Sequence, residues 1–217
     1  MEIGAFFDLD DTVIKGNSGL RYIMFLYRKK VLKASRSTII PSLKMAYSYL
    51  KGDYRKAVDQ ADNLMALAFK NASKKEAQDY AKTFALKDSK NFIIKSVERV
   101  KWHKKQGHKL VLLSASPDEV VQEYGRLLGF DCTRGSLFKS KEGAYTGELI
   151  TPSMIGKERA LVAKKIAKNL GINLKESYAY GNCINDLEVL GLVGNPFAVN
   201  PNKHLSPVAR KKGFRIL

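Results

Sequence analysis

Three acids and one serine carry the chemistry this sequence can do. Asp8 and Asp10 end the apolar run Ile3-Gly4-Ala5-Phe6-Phe7. Ser114 ends the run Lys109-Leu110-Val111-Leu112-Leu113. Asp186 follows the run Ser177-Tyr178-Ala179-Tyr180 after the short loop that opens with Gly181 and Asn182. Two carboxylates with a third from another strand end offer the hard oxygen ligands that suit Mg²⁺. A carboxylate is also a nucleophile in phosphoryl transfer, giving an aspartyl-phosphate. A metal offsets its repulsion from an anionic phosphate, and a second acid protonates a leaving alcohol. In an extended strand, residues two apart point to one side, but the chain turns at Asp8, so spacing leaves the relation of Asp8 to Asp10 open. Each residue also has a plain reading: Asp8 as a turn cap, Ser114 as a lead into the helix opened by Ser116-Pro117, Asp186 as a helix N-cap. Three polar strand ends together point to a site.

Those residues need elements to position them. The runs 3–7, 109–114, 177–180 and 197–199 have the length and apolar character of buried strands. Helices are expected over about 91–105, ending at Gly107; over 117–128, stopping at Gly129; and over about 155–169, stopping near Gly171. Short strands and a hairpin are expected across 130–150. Strands alternating with helices predict an α/β fold with a parallel sheet, whose ligands sit at the carboxyl ends of the strands. Residues 18–98 read as almost wholly helical. Leu20, Ile23, Met24, Tyr27 and Val31 recur at helical spacing, as do Ile39, Leu43, Ala46, Tyr47 and Leu50, with Pro41 near a helix start. This stretch reads as an inserted helical cap over 17–98, with the core formed by 1–16 and 99–217.

Composition narrows the class. The 217 residues are 45% hydrophobic and 27% charged, too apolar for intrinsic disorder. No apolar run approaches the roughly 18 residues of a membrane span. The N-terminus lacks a signal peptide's basic start and is interrupted by acids at once, so a cytoplasmic protein is expected. Two cysteines, Cys132 and Cys183, are too few for a disulfide scaffold. With 38 Lys and Arg against 21 Asp and Glu, the net charge is +17. Residues 18–57 hold ten of the basic residues and one acid, Asp53, a net +9. Such a surface attracts anions: phosphorylated substrates, anionic lipid head groups or nucleic acid.

The motifs resemble those of the haloacid dehalogenase (HAD) superfamily. Phe6-Phe7-Asp8-Leu9-Asp10-Asp11-Thr12 is similar to its first motif, hydrophobic-Asp-x-Asp-x-Thr. Val111 to Pro117 is similar to the second, Lys157 in Gly156-Lys157-Glu158-Arg159-Ala160-Leu161 to the third, and Gly181-Asn182-Cys183-Ile184-Asn185-Asp186 to the fourth. The order of motifs and the helical insert after the first resemble the phosphoserine-phosphatase-like branch, subfamily IB. The resemblance covers essentially the whole chain and implies a Rossmann-like core, a helical cap and a Mg²⁺-dependent phosphomonoesterase. It implies that Asp8 is the nucleophile and a metal ligand, and that Asp10 is the general acid/base with its carbonyl on the metal. Ser114 and Lys157 would hold the phosphoryl group, Thr12 would support it, and Asp186 would orient metal or metal-bound water.

Two departures shape the expected substrate and metal site. The fourth motif usually carries an Asp where this chain has Asn182, which keeps an amide oxygen but no charge. A working enzyme is expected, and the alternative is a non-catalytic module that binds phosphorylated ligands. Phosphoserine phosphatases carry a Glu where this chain has Asn17, which disfavours phosphoserine. The insert offers Arg21 for substrate and sets Tyr22, Phe25, Tyr27, Tyr47 and Tyr49 among its lysines. Basic residues beside apolar ones suit a helix on an anionic membrane surface, and some relatives in this branch resemble lipid phosphatases. A phospholipid-type phosphomonoester and peripheral membrane contact therefore stand beside a small-metabolite phosphate, with an apolar stripe that packs the cap's own core as the plainer reading. Nucleic acid is disfavoured, because no recognition motif accompanies the charge. Cys183 reads as a packing residue and the three histidines as structural.

Overall fold

The structure, a computed structural model, describes residues 1–33, 54–150 and 154–217. Strand β1 (Gly4–Asp8) lies between β2 (Lys109–Pro117) and β6 (Tyr178–Gly181), and all three run parallel. The main sheet has six strands in the order β3-β2-β1-β6-β7-β8, with β3 (Cys132–Ser136), β7 (Asn195–Ala198) and β8 (Arg215–Ile216) completing it. Every pairing in it is parallel. Its central strands read as unbroken apolar runs because both faces are covered. Alternate residues feed two cores. Ala5, Phe7, Leu110 and Leu112 face one, and Phe6, Val111 and Leu113 face the other.

The first core joins the sheet to the helical insert. Helices α1 (Ser18–Arg28), α2 (Tyr54–Ala68) and α3 (Lys74–Asp88) follow β1 and precede α4 (Ile94–Lys105), which spans residue 98, and α5 (Asp118–Leu128). Tyr22, Leu26, Phe69, Ala81 and Phe84 share one buried cluster with Leu110, Leu112, Val120 and Tyr124. The hairpin β4 (Phe138–Lys141) and β5 (Ala144–Leu149) adds Phe138 and Tyr145, whose rings lie 4.9 and 5.3 Å from that of Phe69. Its turn is made by Glu142 and Gly143, both at positive φ (52° and 81°), as a twisted two-residue hairpin turn requires. The second core is covered by α6 (Gly156–Asn169), α7 (Leu187–Leu190) and α8 (Leu205–Lys211). Strand β8 and helix α8 were not legible in the sequence. A two-residue strand carries no period.

One helical stripe differs from expectation. In α1 the fully buried line is Tyr22 and Leu26; of the expected stripe, Ile23, Tyr27 and Val31 pack on the core, while Leu20 and Met24 are exposed. The rotation is set at the helix start: a Cβ on Gly19 would lie 2.9 Å from Ser116 Oγ, so the backbone of α1 rests directly on the end of β2. The second expected stripe, Ile39 to Leu50, lies outside the described residues, as do Arg36, Lys44 and Lys51 of the basic segment. Among the described residues no helix is long and apolar enough to cross a membrane.

Behind the sheet, His103 is fully buried between His108 (Nδ1 to Nδ1, 2.8 Å) and the Tyr180 hydroxyl (2.8 Å from Nε2). Burial, then the neighbouring His108 and Arg99, pushes its pKa down to about 3. The unfolded chain takes up this proton near pH 6.5 and the folded chain does not. The stability held by neutral His103 is thus complete above about pH 6.5 and is lost as the pH falls toward 3. Urea unfolding across that window is expected to show a loss approaching about 1.4 kcal/mol per pH unit from this group. His103→Gln, which keeps a partner for Tyr180, should flatten the slope.

Candidate active site

Register brings the motifs to one edge. Asp8 pairs with Leu113 across β1 and β2, and Phe7 pairs with Tyr180 across β1 and β6. Ser114 and Gly181 therefore flank Asp8 at the carboxyl end of the sheet. Immediately beyond β1 the chain folds back: the amides of Thr12, Val13 and Ile14 all converge on the Leu9 carbonyl, and Asp11 (φ 55°) accepts from the Gly16 amide at 2.6 Å. This turn carries Asp10 toward the start of α1, away from Asp8.

The two carboxylates of the first motif have different surroundings. Asp8 Oδ1 accepts from Arg159 Nη1 at 2.7 Å, and Oδ2 accepts from the Thr12 hydroxyl at 3.0 Å. Asp10 Oδ1 accepts from the Ser18 amide at 2.9 Å, and Oδ2 accepts from the Ser116 hydroxyl at 3.0 Å. The Ser18 and Ser116 hydroxyls lie 3.0 Å apart. Asp10 is thus held at the seam between insert and core. Burial, then the Asp186 charge, holds the Asp8 carboxyl well above the usual range against the pull of Arg159. Burial also raises Asp10, opposed by the Ser18 and Ser116 hydrogen bonds.

Arg159 is the centre of the site. Its Nη1 meets Asp8 Oδ1 at 2.7 Å and Asp186 Oδ1 at 2.5 Å, and its Nε donates to the Met154 carbonyl at 2.7 Å. Burial works against its charge, but Asp8 and Asp186 outweigh this and raise its pKa further. Asp186 Oδ2 accepts from the amides of Asn182 (2.9 Å) and Cys183 (3.0 Å), so this residue both caps the loop and faces the cation. Gly181 is required for that packing: a Cβ there would lie 2.4 Å from Asp186 Cβ. Burial, then Asp186 and Asp8, drives the Cys183 thiol upward, which keeps it a packing residue and not a thiolate.

Several expected residues stand elsewhere. Lys157 is exposed on the first turn of α6 and makes none of the site's ion pairs among the described residues. It shares the outer face of α6 with exposed Leu161, Lys164 and Lys168, whereas Arg159 lies on the face of Ala163 and Ile166. That periodicity was the available signal for Arg159. Arg21 is paired with Asp88 (Nη2 to Oδ2, 2.7 Å; Nε to Oδ1, 2.9 Å) and donates to the Lys15 carbonyl. Its polar group is tied to the end of α3. Ser114 is buried and its Oγ accepts from the Ser116 amide at 3.0 Å, bracing the last residues of β2. Asn182 holds its neighbours through its backbone, donating to Asp186 and accepting from the Asn202 amide. Ser116 and Ser18 were not singled out as site residues in the sequence. Their polar atoms become functional only through the contact of α1 with β2.

The geometry permits a test of the metal. Asp8 and Asp186 supply donors of the right chemistry, but Arg159 already holds an oxygen of each. The cavity behind them is about 10 Å³, close to the minimum for one water. Among the described residues no group of three or more acids, histidines or cysteines is disposed to hold a metal ion. Each ionised carboxylate keeps acceptor sites beyond the one that Arg159 takes, so Asp8 and Asp186 retain the chemistry to hold a divalent ion.

A haloacid dehalogenase-like hydrolase family model matches residues 5–191, which include every strand end described above. The chain belongs to this family. A HAD relative named phosphoserine phosphatase SerB1, from Mycobacterium tuberculosis (strain ATCC 25618 / H37Rv), is 27% identical over 220 residues, 98% of this chain and 69% of its own. A histidinol-phosphatase of Neisseria meningitidis serogroup C (strain 8013) is 27% identical over 223 residues, 98% of this chain and 97% of its own. Among solved structures, the phospho-aspartyl intermediate analogue of a phosphoserine phosphatase superposes with a TM-score of 0.64 at 19% identity, covering 99% of this chain and 92% of that one. This chain is a HAD-type phosphatase with the phosphoserine-phosphatase-like fold. Arg159→Ala is expected to lower kcat/KM for an aryl phosphate by at least about 100-fold. Lys157→Ala should change it by less than about 3-fold, as for a surface charge.

Proposed function

We propose that the chain hydrolyses a phosphomonoester through an aspartyl-phosphate on Asp8. The observation that carries this reading is the division of labour between two buried acids. Asp8 faces a guanidinium at the end of the central strand, and Asp10 is fixed by hydrogen bonds at the mouth between insert and core. An Asp8 oxygen attacks phosphorus and the bond to the alcohol oxygen breaks. Asp10 gives its proton to that oxygen, a role that its raised pKa suits. Asp10 then takes a proton from water as the water attacks the phosphoaspartate. Inorganic phosphate leaves and Asp8 is restored. Arg159 and the Thr12 hydroxyl orient Asp8 throughout, and Arg159 offsets negative charge there. Ser114 holds the end of β2 that presents Ser116 to Asp10. HAD phosphatases generally use Mg²⁺, which, held beside Asp8, would offset the repulsion between its carboxylate and the phosphoryl oxygens.

The names of relatives favour a small phosphorylated metabolite such as phosphoserine or histidinol phosphate. Asn17 argues against an amino acid head group held as phosphoserine phosphatases hold it. Its side chain accepts from the Leu20 amide at 2.7 Å, capping α1, and it carries no charge for an ammonium. No contact among the described residues favours a lipid head group.

Aryl phosphate hydrolysis followed by a panel of phosphoserine, histidinol phosphate and a lysophospholipid phosphate tests the reading. Asp8→Asn is expected to abolish turnover. Asp10→Asn should slow it by about 100-fold or more and leave a phosphate adduct on Asp8 in acid-quenched mass spectra. Absence of turnover by folded wild-type protein on every substrate would overturn the reading and leave a phosphate-binding module.

A further inference from the structure

A second cavity, of about 420 Å³, lies between α3 of the insert and α5 of the core, beside the connection from β3 to β4. It shares no lining residue with the cavity at Asp8. Its volume falls within the range of about 300–1,000 Å³ typical of small-molecule sites. Much of its polar wall is already committed. Asp118 accepts from the Gly135 amide at 2.7 Å and from the Gln122 amide group at 2.5 Å, and Glu123 pairs with Arg126 at 2.5 Å. Two opposite charges are left. Glu119 Oε1 accepts from the Tyr145 hydroxyl, while Oε2 is buried and has no hydrogen-bond partner among the described residues. Lys74 makes no ion pair among the described residues. Burial raises the pKa of Glu119, and the charge of Lys74 is near enough to pull against that rise.

A buried carboxylate oxygen without a donor is costly, and buried polar atoms of this kind are uncommon. The terminal torsion of a Glu side chain is broad, so the carboxyl turns readily toward an N–H in the cavity. Leu137, Phe138 and Ile150 give the same cavity an apolar side. We propose that this cavity binds a small zwitterion of the amino-acid type with an apolar side chain: its ammonium pairs with Glu119, its carboxylate with Lys74, and its side chain lies against Leu137, Phe138 and Ile150. A simple cation would leave Lys74 facing a second positive charge, and a simple anion would leave Glu119 without a donor. A molecule that carries both charges answers both groups. Lys74 opens α3 and Glu119 stands in the first turn of α5. The bound zwitterion therefore bridges insert and core at a point the phosphatase reading does not use.

The test needs no phosphorylated substrate, so its outcome is separate from whether the chain turns over phosphomonoesters. L-leucine is titrated into the full chain, labelled with ¹⁵N, and the backbone amide signals of Gln78, Glu119 and Phe138 are followed by NMR. Two half-molecules are titrated in parallel: isopentylamine, which lacks the carboxylate, and 4-methylpentanoate, which lacks the ammonium. L-leucine is expected to move all three signals saturably and to bind at least about 10-fold more tightly than either half-molecule. Glu119→Gln, which keeps an acceptor for Tyr145, should weaken L-leucine by about 10-fold or more and leave 4-methylpentanoate unchanged. Lys74→Met should weaken L-leucine and leave isopentylamine no weaker than in the wild type. If Glu119→Gln does not fold, the partly exposed Lys74 and the half-molecules decide. No saturable movement of these signals at about 10 mM L-leucine, half-molecules that bind as tightly as L-leucine, or variants that bind it as the wild type does would each overturn the proposal.

Discussion

One buried guanidinium joins three parts of the chain that sequence keeps far apart. Asp8 ends the first strand, Arg159 opens a helix 151 residues later, and Asp186 closes the loop 27 residues beyond that. A buried charge is costly unless it is paired and hydrogen-bonded. Removing one partner of such a set typically costs about 3–5 kcal/mol. The pairing therefore requires the carboxyl ends of β1 and β6 and the start of α6 to meet at one point. The sheet order, with β1 and β6 adjacent, and the Gly181 backbone against Asp186 follow from the same need. A lysine could not replace this arginine without loss, because its point charge lacks the fork that holds the Met154 carbonyl and the two acids together.

A second set of polar contacts ties the insert to the core. Asp10 draws in the first amide of α1 and the Ser116 hydroxyl. At the far end of the insert, Asp88 collects Arg21 from α1, Tyr124 from α5 at 2.6 Å and Asn91 at 2.7 Å. Burial opposes the charge of Asp88, yet these hydrogen bonds outweigh it and hold its pKa below the ordinary range. The Ser18 contact with Asp10 and the Tyr124 contact with Asp88 both span insert and core, whereas Arg21 and Asp88 pair within the insert. Asp10 thus sits at the seam between insert and core, while Asp8 lies at the end of the central strand.

Much of this was legible in the residues. The unbroken apolar runs gave the parallel strands, because strands covered on both faces cannot alternate. The acids at their ends marked the candidate site, and the structure brings Asp8 and Asp186 together on Arg159. The role of the third motif was not legible from type alone, since Lys157 and Arg159 are both cationic and only two residues apart. Their separation of about 200° around a helix decides which one faces the core. Ser18 and Ser116 were hidden for another reason. They act through a contact between elements 98 residues apart, and no local pattern encodes it. The stripe of α1 held at Ile23, Tyr27 and Val31 but missed Tyr22 and Leu26, because the close approach at Gly19 turns that side of the helix onto β2.

The central claim is that Arg159 and the two carboxylates act as one energetic unit. A double-mutant cycle between Arg159→Met and Asp186→Asn, read by urea unfolding at neutral pH in the absence of divalent metal, measures this directly. The account predicts that Arg159→Met is strongly destabilising in the wild type and much less so beside Asp186→Asn, with a coupling of about 2 kcal/mol or more. Single-variant losses that add to within about 0.5 kcal/mol would contradict it.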